Sequence, residues 1–510
     1  MTTLTSVARV EAYALGRAVP IATRRHLQVS DRPLVFVPLG MAGEANAPLA
    51  CLVGDTPASP TLLVVPQPRN RDLRFAFAAQ LADVVLSYVD SFTTAMDLVK
   101  DKAVFTDAPQ LVVANPAAVE FTRLLGRSTR FRRADGPYPV DPAVPLLGRW
   151  LTWFADATER PGSSVTIALT DALAQIWATG QSALEDANLA ALMGWIEPWD
   201  GLTGQQAAAQ AEDPALWPPA GPATDPDFDE RVLAGLIKSY DLASDGDERT
   251  RAEATIAAAL RSQLEPTWRL MWRAVELLRS VEPASTVERR WLRDRQTFTT
   301  QVEYWRDGGA PQPRVDHAVR AAQRLAWLER DLDEFTVERA LDDPLAMAEY
   351  RLSGEAFVGR VISVDATRVD TSGKRRKPRP LVVLATRDPV RLEPGTTVRS
   401  AARPGQDCRV ISVAPLPAAP AEPANGAAPD VFVPMAVTLE LVSGMGRALT
   451  PAPGSVPEVD DELCYSALVT NAGVQPKFPS REETPWTHGG PPVSPEVDLP
   501  TVDDAVEDWS

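Results

Sequence analysis

The spacing of apolar residues changes character along the chain, and each change predicts a different kind of element. In residues 1–140 the apolar runs 34–38 and 48–53 are separated by Gly40, Gly43 and Asn46, which predicts a β-hairpin. A short buried strand is expected at 62–65. After it Phe77, Leu81, Val85 and Tyr88 recur every three or four residues, the spacing of one helix face. The run 111–114 predicts another strand. Asn115-Pro116 then supplies an N-cap and an N1 proline for a helix carrying Val119, Phe121, Leu124 and Leu125. Two strand–loop–helix units in series predict a partly parallel sheet, and so an N-terminal α/β domain.

Residues 141–354 read as a long helical middle. Asp225-Pro226 is an N-cap followed by an N1 proline, with Asp227, Asp229 and Glu230 in a first turn that favours anions. Phe228, Val232, Leu236 and Tyr240 form the expected apolar face. Asp245 and Asp247 flank Gly246 before a helix and are expected to cap it rather than bind a cation. That helix carries Ile256, Leu260 and Leu264, and Pro266 is expected to break or restart it ahead of Trp268 and Trp272. Ser285 and Glu288 have capping-box spacing, opening a helix that turns Trp291, Phe298, Val302 and Trp305 inward and ends at Gly308-Gly309. Ala321, Leu325, Leu328, Leu332 and Phe335 alternate spacings of four and three, a short heptad seam. It predicts that this helix and the preceding one form an antiparallel hairpin. A last helix runs from Pro344 to Gly354.

From residue 355 the pattern becomes β. The segments 357–364, 380–385, 408–413 and 431–442 are rich in Val, Ile and Leu, and short strands of this kind close most naturally into a small barrel or sandwich spanning 355–470. An Ala/Pro segment at 415–429 reads as a flexible insertion. Beyond it, 471–510 lose periodicity and gain Pro, Gly and acid, and are expected to be a disordered acidic tail. The fold class expected is thus α+β and multidomain: an α/β domain, a helical domain with its hairpin, a small β domain and the tail.

Charge changes this picture in one respect. The 510 residues carry a formal net charge of −17, which argues against a surface that coats nucleic acid as a whole. Residues 481–510, however, hold eight carboxylates and one arginine, so the body of the chain is less acidic than the total. Cys51, Cys408 and Cys464 are odd in number and far apart, which fits a reducing compartment and predicts a cytoplasmic protein. No apolar run approaches a membrane span, and no signal-peptide core follows Arg9, Glu11 and Arg17.

The chemistry the sequence lacks is specific. Its only Gly-Lys pair, Gly373-Lys374, has no glycine at the spacing a phosphate-cradling P-loop needs, and neither a dinucleotide fingerprint nor a nucleophile elbow occurs. His26, His317 and His488 lie in separate regions, so no local Cys/His metal site can be built; no metal or cofactor is expected. His26 is expected at the surface and His317 in a first helical turn.

Three features could carry function. Arg69 and Arg71, in the loop between a strand and a helix, suit an anion at the strand ends of an open α/β sheet, with Asn115 able to line the same crevice if the two strands are neighbours. A solvated loop is the plain alternative. Lys374, Arg375, Arg376, Lys377 and Arg379 place five cations in six residues between two strands, an electrostatic finger suited to phosphates, although no aromatic platform for base stacking accompanies it. The plain alternative is a charged hairpin tip that blunts a sheet edge. Trp486 and Trp509, set in the acidic tail, could dock into a partner. The expected function is a non-catalytic adaptor or scaffold in a cytoplasmic assembly acting on nucleic acid, with protein partners that include a separate motor or nuclease subunit. The alternatives are an enzyme with an anionic substrate at Arg69, Arg71 and Asn115, and a protein-interaction module without nucleic acid.

Overall fold

The computed structural model describes residues 2–42, 47–214, 216–219, 221–371, 376–403, 405–416, 433–446, 448–468, 476–479 and 483. Contacts divide the chain into two compact units, one of Thr5–Leu332 with Gln475–Ser510 and one of Asp333–Val474 with Met1–Leu4.

The larger unit is built on a mixed five-stranded sheet. Strands β1 (Leu34–Gly40) and β2 (Pro48–Gly54) form the expected antiparallel hairpin, and β3 (Thr61–Val64) continues it antiparallel at the edge. Helix α1 (Arg71–Asp90) follows, with Asn70 as its N-cap. On the other side of β1 lies β4 (Leu111–Val113), parallel to it, followed by α2 (Pro116–Thr129) and α3 (Ala143–Ala157). Strand β5 (Thr166–Ala168), not foreseen in the sequence, pairs parallel with β4, giving the order β3-β2-β1-β4-β5. Alternate residues of one strand enter different cores. Leu34 and Phe36 face a cluster with α1, α2 and α3, whereas Val35, Val37 and Leu39 face the opposite side. Both faces being covered explains why these strands read as continuous apolar runs.

Downstream helices complete both layers. Helices α4 (Leu189–Ile196) and α5 (Gly246–Ser280) bury Leu192, Ile256, Leu260 and Trp268 on the Val35 side. On the Leu34 side, α6 (Val287–Arg306) buries Trp291, Phe298 and Val302, as its spacing predicts.

Several local expectations are corrected. Pro266 neither breaks nor restarts α5, which runs unbroken through it; the buried Leu264, Thr267 and Trp268 beside it hold the helix where one backbone donor is missing. Between Pro226 and Leu242, Asp225 caps as expected, but residues Asp229–Leu233 form a π turn. The wider turn moves the inward position by one residue, so Leu233 is buried and Val232 is exposed. Thr286 rather than Ser285 occupies the cap position of α6. His26 is buried rather than at the surface, and its carbonyl accepts from Arg290 Nη2 at 3.0 Å. Helix α7 (Ala318–Asp342) turns its heptad positions Leu325 and Leu332 to solvent, 57% and 52% exposed, instead of burying them in a seam.

In the smaller unit α8 (Pro344–Ser353) opens on the Asp343 cap and closes at Gly354, whose φ of 85° is the left-handed stop that glycine supplies. Six antiparallel strands follow: β6 (Ala356–Asp365), β7 (Leu381–Thr386), β8 (Thr397–Val398), β9 (Cys408–Pro415), β10 (Met435–Leu441) and β11 (Glu462–Ser466). Their order is β8-β9-β10-β7-β6-β11. Arg399 and Ser466 exchange two backbone hydrogen bonds of 2.9 Å across the remaining gap, so the sheet is a nearly closed barrel. Phe357, Val382, Leu384, Val410, Leu439 and Tyr465 fill its interior. Residues 417–432, which include most of the Ala/Pro insertion, lie outside the described residues.

Cys408 points into that interior, and burial pushes its thiol up to about 12; burial acts in the same direction on Cys51 inside the larger unit. Native protein at pH 8 is therefore expected to leave both thiols unlabelled by a disulfide reagent until denaturant is added, because the thiolate is the reactive species. Fast labelling of either in native buffer contradicts their burial.

Candidate functional site

The basic segment sits on a short ribbon that rises from the barrel between β6 and β7. Val369–Asp370 pairs antiparallel with Lys377–Pro378, and the Arg379 N–H donates to Arg368 O at 2.9 Å. Two arginines root this ribbon. Arg368 Nη1 donates to Glu440 Oε1 at 2.5 Å and to Arg379 O at 3.0 Å. Arg379 Nη1 donates to Val442 O at 2.9 Å and Pro378 O at 3.0 Å. The Arg379 guanidinium is thus spent on backbone carbonyls and serves as an anchor. Arg376 and Lys377 are exposed at the far end, and Lys374 and Arg375 lie outside the described residues. Residues 355–468 hold thirteen Lys/Arg and thirteen Asp/Glu, so this region is neutral within an acidic chain.

The strand-end residues do not meet. Strands β3 and β4 point the same way but are separated by β2 and β1, three spacings or roughly 14 Å apart. Asn115, 6% exposed, accepts from Ala118 N–H at 3.0 Å as the cap of α2 and donates to Ala187 O at 3.1 Å. Arg71 donates to Tyr138 O at 3.1 Å, and its guanidinium lies 4.5 Å over the Phe75 ring. Arg69 is exposed in the loop. Trp486 and Trp509 lie outside the described residues.

A groove in the larger unit was not indicated by any motif. Gly308, at φ +81°, ends α6; Gly309 N–H donates to Tyr304 O at 2.8 Å, and a Cβ on Gly309 would come within 2.5 Å of the Tyr304 ring. This turn brings residues 310–313 back alongside the solvent face of α6. The two enclose a cavity of about 560 Å³ lined by Gln296, Thr300, Tyr304, Trp305, Pro311 and Pro313, with Arg293 and Arg320 and no carboxylate. Gln301 and Gln312 also border a second compartment of about 360 Å³. There Trp153, Trp327 and Leu328 adjoin the ion pairs Arg324–Glu159 (2.5 Å) and Arg324–Asp316 (3.5 Å). In sequence the row Arg293–Gln296–Thr300–Tyr304 looks like any solvated helix face; only the returning segment makes it a groove.

Among the described residues no cluster of His, Cys, Asp or Glu could hold a metal ion, and no helix is long and apolar enough to cross a membrane. His317 Nδ1 accepts from Arg320 N–H at 3.3 Å, a capping contact. The chain matches no protein-family model, no curated protein and no solved structure.

Proposed function

We propose that the chain is a non-catalytic adaptor whose barrel presents a basic hairpin to the phosphates of a nucleic acid, while residues 481–510 recruit protein partners, a motor or nuclease subunit among them. The observation that carries this reading is the rooted ribbon: Arg368 and Arg379 fix its base, and Arg376 and Lys377 stand in solvent on a region without net charge. A fixed base matters because a cation already held near its contact position loses less freedom on binding. Three unpaired thiols, two of them buried, suit the cytoplasm as its compartment.

The test is the salt dependence of binding to a labelled 30-mer, single-stranded and duplex, for wild type and for Arg376→Ala/Lys377→Ala. Each lost phosphate contact is expected to flatten the duplex slope of log K against log salt by about 0.9, so the pair by about 2, and somewhat less for the single strand. Arg379→Ala should lower barrel stability while leaving that slope unchanged. No measurable binding at low salt, or one slope for both proteins, would sink the nucleic-acid part and leave the protein-interaction reading.

A further inference from the structure

We propose that the groove between α6 and residues 310–313 is the docking site for this chain's own acidic C-terminal segment, residues 481–510, with a tryptophan seated in the larger compartment. Four observations point to that occupant. The two compartments adjoin, sharing Thr297, Gln301, Gln312 and Arg320, so a peptide can occupy both in succession. Gln296, Thr300 and Gln301 form a row of amides and a hydroxyl along one helix face, groups that can serve as donors and acceptors for an extended main chain. The larger compartment combines Tyr304, Trp305, Pro311 and Pro313 with Arg293 and Arg320. Arg320 also pairs with Asp316 at 3.1 Å, and the smaller compartment is lined by Asp156, Glu159, Asp316 and Asp331, so the larger compartment is the end that favours an aromatic anchor flanked by negative charge. Residues 481–510 have that composition: eight carboxylates, one arginine, Trp486 and Trp509.

Tethering favours the intramolecular complex. Residues 476–479 belong to the same compact unit as the groove. A flexible tether of about thirty residues would span about 5–6 Å times the square root of its length, on the order of 30 Å. A tether of this kind raises the local concentration of the segment to around the millimolar range, so a weak site is occupied. Docking in the groove and recruitment of a partner by the same segment are then mutually exclusive, and a partner must displace the tail. The inference stands apart from the nucleic-acid reading, since it uses no residue of the basic hairpin.

Hydrogen–deuterium exchange on the full chain tests it. Trp486→Ala/Trp509→Ala is expected to speed exchange of amides 308–316 at least fivefold with the rest of the unit unchanged, and added synthetic peptide 481–510 should restore the protection. Arg293→Gln/Arg320→Gln should give the same loss, and the thermal transition of each variant shows that the unit is folded. Arg376→Glu/Lys377→Glu should leave the protection intact whether or not nucleic acid binds. Identical exchange of 308–316 in wild type and in both groove and tail variants overturns the proposal. Protection that rises with protein concentration overturns the intramolecular assignment.

Discussion

Phe298→Ala is expected to cost the larger unit about 3–5 kcal/mol, the range found when a buried aromatic is truncated and its cavity cannot collapse. Phe298 is fully buried on α6, with its ring centroid 5.4 Å from Phe105, 5.7 Å from Trp150 and 6.0 Å from Trp153. The surroundings are poorly placed to relax. Thr299 Oγ1 accepts from Phe105 N–H at 3.0 Å, and the neighbouring Asp294 accepts from Ser163 Oγ at 2.8 Å and Ser164 N–H at 2.7 Å, so polar contacts pin the helix on both sides of the ring. Urea unfolding followed by tryptophan fluorescence measures the loss, because Trp150 and Trp153 report on this cluster. Phe298→Leu should cost less, having kept most of the apolar volume. A loss below about 1 kcal/mol for the alanine variant would mean that α6 does not seal this face of the sheet.

The second large effect is a reversal of sign. Alanine for glycine inside an exposed helix stabilises it by up to about 1 kcal/mol. Gly235, where an added Cβ meets nothing within 4 Å, should follow that rule. Gly148, inside α3, should not. A Cβ there would stand 2.2 Å from Arg130 N and 2.6 Å from Arg130 Cα, and Gly126 on α2 faces Thr152 N at 2.8 Å in the same way. The Arg130 atoms are backbone at the end of α2 and Thr152 N is backbone within α3, so no rotamer change relieves either clash. Overpacking of this kind costs about 1–3 kcal/mol and more where backbone must move, so Gly148→Ala is expected to destabilise by about 2 kcal/mol or more. Thermal unfolding of the two variants beside wild type decides it: Tm rises for Gly235→Ala and falls by several degrees for Gly148→Ala. Equal shifts in the two would show that the α2–α3 approach is looser than the glycine geometry requires.

How much of the fold was legible follows from the range of the interactions involved. Asn115, Asp225 and Asp245 all cap the helices their positions suggest, because a cap is a bond to a backbone amide two or three residues away. The helix over Phe77–Tyr88 and the hairpin of β1 and β2 were likewise visible, since burial of one or both faces writes its period directly into the sequence. Where a long-range contact outweighed the local signal, the expectation failed. Pro266 reads as a break, yet Trp268 and Leu264 are buried against the sheet and carry the helix through it. Val232 has the right spacing, yet a π turn gives its place to Leu233. The alternation of Leu325 and Leu332 reads as a seam, and both face solvent.

The candidate site divides along the same line. By itself the sequence determined the caps at Asn115, Asp225 and Asp245, most of the helices, the β character beyond residue 355, the cluster of five cations and the acidity of the last thirty residues, all of them properties of neighbours along the chain. Only the tertiary structure decided that β2 and β1 stand between Arg71 and Asn115, that Arg379 is an anchor, that β5 and β11 join their sheets, and that residues 310–313 turn a solvated helix face into a groove. Each of these rests on a pairing between distant segments. Its loop-closure cost is repaid only when the whole core forms, so no local pattern records it.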